Sequence, residues 1–186
     1  MYDQQKKEYL MHMAKEIKYK TVHVSFLYMR DVEILTRIGI PDSFSPYIDI
    51  IPGEKYGGYS LYDRVNKFEN YPLDNEEFKD MCLIGQSGDG YLVITRDGGV
   101  YNYDTDRMEL RFVNTSLDAF LDFAYEYSRF VNSVIGKNGE DAYLDGNYSE
   151  EDVASLSEAF AGIDGAAVEE GFWTEELADL IDNIES

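Results

Sequence analysis

From residue 81 onward, hydrophobic and polar positions alternate in short runs. Residues 81–84 (MCLI), 91–95 (YLVIT), 100–103 (VYNY) and 110–113 (LRFV) are rich in aliphatic and aromatic side chains and read as strands. Between them stand Ser-Gly-Asp-Gly at 87–90, Asp-Gly-Gly at 97–99 and Asp-Thr-Asp-Arg at 104–107. Gly and Asp tolerate the positive φ of tight turns, so an antiparallel meander over about residues 81–113 is predicted. The period then changes to that of a helix. Leu117, Phe120, Leu121, Ala124 and Val131 form one apolar stripe, and Phe123, Tyr127, Phe130 and Val134 a second beside it. Only Asp118, Asp122, Glu126 and Arg129 clearly call for water. Thr115 or Ser116 caps this helix, Thr115 with Asp118 approximating a capping box, and Gly136 and Gly139 end it. Such a helix packs on a sheet face and on a second element.

The flanking segments are less regular. Leu10, Met13, Ala14 and Ile17 fall at i, i+3, i+4 and i+7 and predict an N-terminal amphipathic helix. Residues 21–28 (TVHVSFLY) have strand composition, and Asp31 is placed to cap a short helix that stops at Gly39, just ahead of Pro41. The stretch 40–73 holds all four prolines (Pro41, Pro46, Pro52 and Pro72) and predicts irregular structure with short strands. At the other end, Ser149 and Asp152 form a capping box ahead of Val153, Leu156 and Phe160. Thr174 caps a final helix bearing Leu177, Leu180, Ile181 and Ile184. The pattern predicts an α+β fold in one domain over residues 1–186. Residues 1–20 are a helical extension, and 149–186 an acidic helical segment docked on the core through Phe172 and Trp173.

Charge sharpens this picture. The formal net charge is −21, distributed as +2 over residues 1–40, −9 over 41–136 and −14 over 137–186. Such a field repels phosphate backbones and argues against a nucleic-acid partner. It attracts basic proteins and steers them at range. The same acidity also serves plain solubility. The N-terminus lacks the apolar stretch of a signal peptide, and no run approaches the roughly 18 apolar residues that span a bilayer. A lone cysteine, Cys82, allows no internal disulfide, in keeping with a reducing compartment. A cytoplasmic protein without a membrane partner is expected.

No enzyme signature emerges. His12, His23 and Cys82 are far apart in sequence, and Cys82 opens an apolar strand, where a thiol acts as a small hydrophobe. Zinc spacings are absent. Residues 141–152 place acids at loop positions 1, 5 and 12 around Gly146, but Tyr143 stands where calcium needs an oxygen ligand, and Asp152 replaces the bidentate Glu. Asn102, Asp104 and Asp106 begin a similar loop, which Arg107 breaks at the glycine position. Gly85, Gly88 and Gly90 suggest a phosphate cradle, yet a strand follows them in place of a helix N-terminus. Neither metal nor cofactor is expected. The aromatics remain: Tyr56, Tyr59 and Tyr62 cluster in a Gly-rich stretch, and Tyr101 and Tyr103 share one strand face. Tyrosine buries large area while keeping a polar tip, so these five are candidate partner contacts, with Asp104 and Asp106 as candidate steering charges.

The order of pieces resembles a known family. Residues 35–41 (LTRIGIP) are similar to the helix-to-GxP element of the SUKH immunity superfamily, in particular its fourth subfamily. The meander positions Ile84-Gly85, 90–94 (GYLVI) and 99–101 (GVY) are similar as well, as are 112–121 (FVNTSLDAFL) and the pairs Ile163-Asp164 and Phe172-Trp173. The resemblance spans roughly residues 31–180. Ala166 and Ala167 stand where a proline is expected near the Asp, and residues 1–20 fall outside it. The resemblance implies an α+β fold, a bacterial cytoplasmic setting, no shared catalytic residues, and neutralisation of a nuclease or deaminase toxin by direct binding. Two other readings stay open at this point: a scaffold domain in another pathway, and a hydrolase using carboxylates alone. Oligomeric state is not legible.

Overall fold

The computed structural model describes residues 1–12, 14–45, 48–68, 76–88 and 90–184. Met13, Pro46, Pro72 and Asp89, which figure in the readings above, lie outside the described residues. The predicted meander is present and longer than expected. β5 (Met81–Ser87), β6 (Gly90–Thr95), β7 (Val100–Asp104) and β8 (Glu109–Asn114) pair antiparallel in sequence order. β3 (Ser43–Ser45) and β4 (Ile48–Ile50) extend them to a six-stranded antiparallel sheet in the order β3-β4-β5-β6-β7-β8. The turns use left-handed backbone where the chemistry allows it, at Gly88 (φ 55°) and Gly98 (φ 87°).

Because side chains alternate across a strand, the sheet sorts its residues into two cores. Cys82, Ile84, Leu92, Ile94, Val100 and Val113 belong to the larger one, with Phe120, Leu121, Phe123 and Ala124 of α4 (Leu117–Asn138). That core continues into α5 (Glu150–Ile163) and α7 (Phe172–Asp182), with α6 (Ala166–Glu169) between them. Phe123 stacks on Phe160 at 3.9 Å between ring centroids, and Trp173, fully buried, packs edge-on to Phe160 at 5.2 Å. On the opposite face Met81, Leu83, Tyr91, Val93 and Tyr103 meet Leu61 and Val65 of α3 (Leu61–Phe68), and Phe78 of a 3-10 turn, Glu76–Asp80.

Several local expectations are corrected. The N-terminal helix α1 spans Gln4–Leu10, capped by Asp3, and the chain leaves it before Ile17. Glu16–Ile17 is a strand, β1, pairing with β2 (Ile40–Pro41), so one apolar period had been read across two elements. Residues 21–28 form no strand. Val22, Val24 and Phe26 are half-buried against the larger core without a ladder partner, since β-branched composition reports a half-buried surface and not strand pairing itself. Asp31 does not cap α2 (Met29–Glu33). It lies inside the helix, buried, and reaches back to the Tyr28 backbone. The helix continues as a π-helical turn, Ile34–Ile38, and stops at Gly39 as expected. Gly39 has φ +93°, and a Cβ there would meet Glu16 Oε1 at 2.6 Å, so glycine is required twice over. Helix α3 was hidden in the proline-rich stretch.

Ser116 alone caps α4, accepting from Ala119 N at 3.2 Å, while Thr115 donates to Asp164, so the Thr115–Asp118 box does not form. Gly136 is interior to α4, and Gly139 (φ 110°) ends it. Asp122 does not face water: it is 3% exposed and accepts from Lys6 Nζ at 2.9 Å and from the Met1 amine. Ser149 and Asp152 do form the expected capping box on α5. Thr174 is inside α7, which starts at Gly171 (φ 109°), one residue ahead of the buried Phe172 and Trp173. Along α7 Leu177 and Leu180 are buried, whereas Ile181 is exposed. A buried polar chain fixes the start of α7: Trp173 Nε1 donates to Asn114 Oδ1 at 2.9 Å, and Asn114 Nδ2 donates to Asp164 at 3.1 Å. Among the described residues no helix is long and apolar enough to cross a membrane.

Candidate acidic cleft and aromatic face

The sheet separates the candidate residues into two groups. Tyr101 and Tyr103 face the smaller core, with Tyr56 and Tyr62 packed against it. Tyr103 is only 7% exposed and lies edge-on to Phe78 at 5.0 Å, so its ring is part of the packing. Tyr101 is half-buried beside Phe112, their centroids 5.6 Å apart. Its ring helps to line a groove of about 550 Å³ with Met81, Arg96 and the exposed Leu110. Tyr59 stacks on the exposed His23 at 3.7 Å, and Tyr56, held in left-handed backbone (φ 76°), lies 4.9 Å from Tyr59. Lys79 Nζ sits 4.8 Å from the Tyr62 ring centroid. Four of the five tyrosines thus belong to the packing of the smaller core or its margin, and Tyr59 stands beside Tyr56 on His23.

Asp104 and Asp106 belong elsewhere. They line a cleft of about 420 Å³ between the tips of the β5–β6 and β7–β8 hairpins and helix α7. Ser87, Gly88, Gly90 and Asn102 form its sheet wall, and Phe172, Glu175, Glu176 and Asp179 its helix wall. Helical geometry explains the second wall. Positions 175, 176 and 179 fall on one side of α7 while Leu177 and Leu180 are buried against the core. Strand alternation explains the first, because Asn102 points opposite to Tyr101 and Tyr103.

Electrostatically the cleft is unbalanced. Among the described residues, five carboxylates line it against one cation, Arg111 of β8. That guanidinium pairs with Glu175, reaches the Gly171 carbonyl at 3.5 Å and lies 5.8 Å from the Phe172 ring centroid. Asp104 accepts the Arg107 and Asp106 backbone N–H groups, each at 2.9 Å, and these bonds hold its carboxyl below the usual range. Glu176 behaves oppositely. Burial first, and then Asp179 and Glu175 beside it, push its carboxyl up to about 7, with Arg111 only partly offsetting them. One further group stands out: Asn102 is 8% exposed, and its Oδ1 accepts no hydrogen bond among the described residues.

Cys82 is fully buried and its thiol is pushed up by burial, while His12 and His23 are exposed. No three metal-ligating side chains converge among the described residues. In the 141–152 loop, Asp152 is engaged by its capping box and by Lys137 at 2.7 Å. The sequence marks Asp104 and Asp106 as steering charges and Asn102 only as the opening of a broken calcium-type loop, and it does not mark Glu175, Glu176, Asp179 or Arg111. The i, i+1, i+4 spacing of the three acids was the available signal, masked by the many other carboxylates.

Comparison with curated proteins and with solved structures finds no match. A family model does match: that of the SUKH-4 immunity protein, over residues 26–179, from just ahead of α2 through most of α7. The match takes in the whole sheet, α4 and both walls of the cleft, and leaves out α1. The chain belongs to the SUKH-4 immunity protein family.

Proposed function

We propose that this chain is an immunity protein that neutralises a cognate toxin by direct binding, and that the toxin is a cationic protein of nuclease or nucleic-acid deaminase type. The observation that carries the reading is the acidic cleft, where five carboxylates face one arginine on a chain of net charge −21. A nuclease or deaminase must present cationic surface to its phosphate-bearing substrate. An acidic inhibitor exploits that requirement, and steering accelerates its arrival. Acting as one domain in the cytoplasm, the chain would bring the cleft to the toxin, with Tyr101 and Tyr59, on the other face of the sheet, offering a second contact area. Binding alone accounts for such a role, without catalysis.

The test is genetic and biochemical together. The protein encoded by the adjacent reading frame is expressed alone and with this chain. The proposal expects cell death alone, survival on co-expression, and a complex that co-purifies. A stable complex with a harmless partner would favour a scaffold role. Substrate turnover by the purified chain would overturn the binding reading altogether.

A further inference from the structure

The face of the sheet that carries the smaller core is covered over only part of its width. Helix α3 and the Glu76–Asp80 turn lie over β5 and β6, where Met81, Leu83, Tyr91 and Val93 are buried. The same face continues from β7 onto β8 through the cross-strand pair Tyr103–Leu110. Among the described residues that cover ends at Tyr103, which Phe78 still reaches. Beyond it Leu110 is 39% exposed, and Tyr101, two residues along β7 from Tyr103, is half-buried. The groove of about 550 Å³ beside Tyr101 is the step between the covered and uncovered parts, with Met81, Tyr101 and Leu110 as its apolar surface.

This surface is built in advance of any contact. The Tyr101 ring lies along Gly99, where a Cβ would stand 2.7 Å from its Cε2, so glycine at 99 makes room for the ring. An aromatic ring already held in place loses little freedom when a partner covers it. The rim selects the charge of that partner. Glu77, Asp80 and Asp97 line the groove with one cation, Arg96, among the described residues. That guanidinium is engaged already, paired with Asp80 at 2.6 Å and 5.6 Å from the Phe26 ring centroid. The Asp97 carboxylate accepts from its own turn, from the Thr95 hydroxyl and from Gly99 N–H at 3.3 Å, and meets no cation among the described residues. An occupant that fits therefore brings an apolar side chain to the floor and a positive charge to the rim. A second copy of this chain fits poorly, because each copy carries a net charge of −21.

We propose that the groove docks a segment of the cationic protein partner. One large apolar side chain of that segment rests among Met81, Tyr101 and Leu110, and an adjacent lysine or arginine reaches Asp97. The inference deepens the proposed function and rests on it for the partner, but its chemistry can be tested without one. It adds a contact on the face of the sheet opposite to the acidic cleft. The cleft supplies charge, and the groove supplies apolar area, which acts at short range and so on dissociation.

The experiment is a titration of the isotope-labelled full chain with the peptide N-acetyl-Lys-Leu-Lys-amide, followed by NMR at the Leu110 methyls and the Tyr101 backbone amide. Two matched peptides separate the contributions: Lys-Ala-Lys removes the apolar side chain, and Glu-Leu-Glu reverses the charge. Saturable shifts at the groove are expected for Lys-Leu-Lys, with Kd on the order of millimolar for so small a probe. The alanine peptide should bind about tenfold more weakly there, and the glutamate peptide should leave both signals unmoved. Leu110→Gln, at an exposed position, should erase the advantage of leucine over alanine. Asp97→Asn keeps an acceptor for the turn and should weaken Lys-Leu-Lys about threefold while leaving the leucine-to-alanine ratio unchanged. Equal affinity of the leucine and alanine peptides at the groove of the wild-type chain would overturn the inference, since charge alone would then account for binding. Shifts at the acidic cleft with none at the groove would overturn it as well. So would contacts to the Leu110 methyls from another segment of this chain in the free protein, by making the groove part of the smaller core. Failure here with survival of co-expressing cells removes the groove and leaves the toxin-binding role standing. Saturable, leucine-dependent binding without toxin rescue does the reverse.

Discussion

Helices α4 and α7 both carry carboxylates toward their neighbours, but to opposite effect. On α4, Asp118 accepts from Arg30 Nε at 2.8 Å and from the Tyr2 backbone N–H at 2.9 Å, and Asp122 takes Lys6 and the Met1 amine. Every acid there has met its cation. Burial by itself would raise the Asp118 carboxyl, yet the Arg30 guanidinium outweighs it and holds that carboxyl below its ordinary range. On α7, Glu175, Glu176 and Asp179 face Asp104 and Asp106 across the cleft with one arginine among them. Matched carboxylates fasten the N-terminal segment to the core. The unmatched ones push the Glu176 carboxyl up and oppose folding through like-charge repulsion, a cost that a cationic partner relieves.

The contrast makes substitutions at the two sites differ in sign. Replacing Arg30 by Met leaves the half-buried Asp118 without its guanidinium and should cost about 1–3 kcal/mol, measured by urea denaturation at neutral pH. Adding Asp118→Asn to that variant should recover part of the loss. No loss on Arg30→Met would mean that the α4 acids are not structural. Asp31 is the exception on the structural side: it is buried with Oδ2 unpartnered, and its carboxyl is pushed up to about 6, chiefly by burial. The folded state then holds a proton that the unfolded state has lost between about pH 4 and pH 6. Its contribution is fully present below that window and disappears as pH rises through it. Asp31→Asn should therefore stabilise the protein by about 1–2 kcal/mol at pH 7.5 and by almost nothing at pH 4. A uniform gain at both pH values would assign the effect to packing instead. The smallest effect is expected on α7, where Glu176→Gln with Asp179→Asn should raise stability by about 0.5–1 kcal/mol at pH 8. A loss of stability there would erase the difference between the two helices.

The sequence was most legible where one local rule governed each element. The meander and α4 follow from strict periods and from Gly and Asp at the turns, and the α5 capping box needs only Ser149 and Asp152. It was least legible where a distant contact overruled local pattern. Asp122 has the spacing of a solvent-facing residue, and only the return of α1 across α4 buries it. Residues 21–28 have strand composition, but packing claims their side chains before any strand claims their backbone. Of the cleft, the hairpin acids were visible and the α7 acids were not, because fourteen net charges in the last fifty residues left no contrast. Asn102 is legible only as the opening of a broken calcium-type loop, because alternation along β7 does not say which face meets α7.

The most direct test of the account is the association rate with the cognate toxin as a function of ionic strength, for the wild-type chain and for the Asp106→Asn, Glu176→Gln, Asp179→Asn variant. Screening shortens from roughly 14 Å to about 4 Å between about 50 mM and 500 mM salt, so steered association should slow at least about tenfold over that range. The variant should bind more slowly at low salt, show a shallower salt dependence, and dissociate faster, while remaining as stable as wild type or more so. Association that ignores salt, or a variant kinetically identical to wild type, would contradict the acidic cleft as the site of toxin binding.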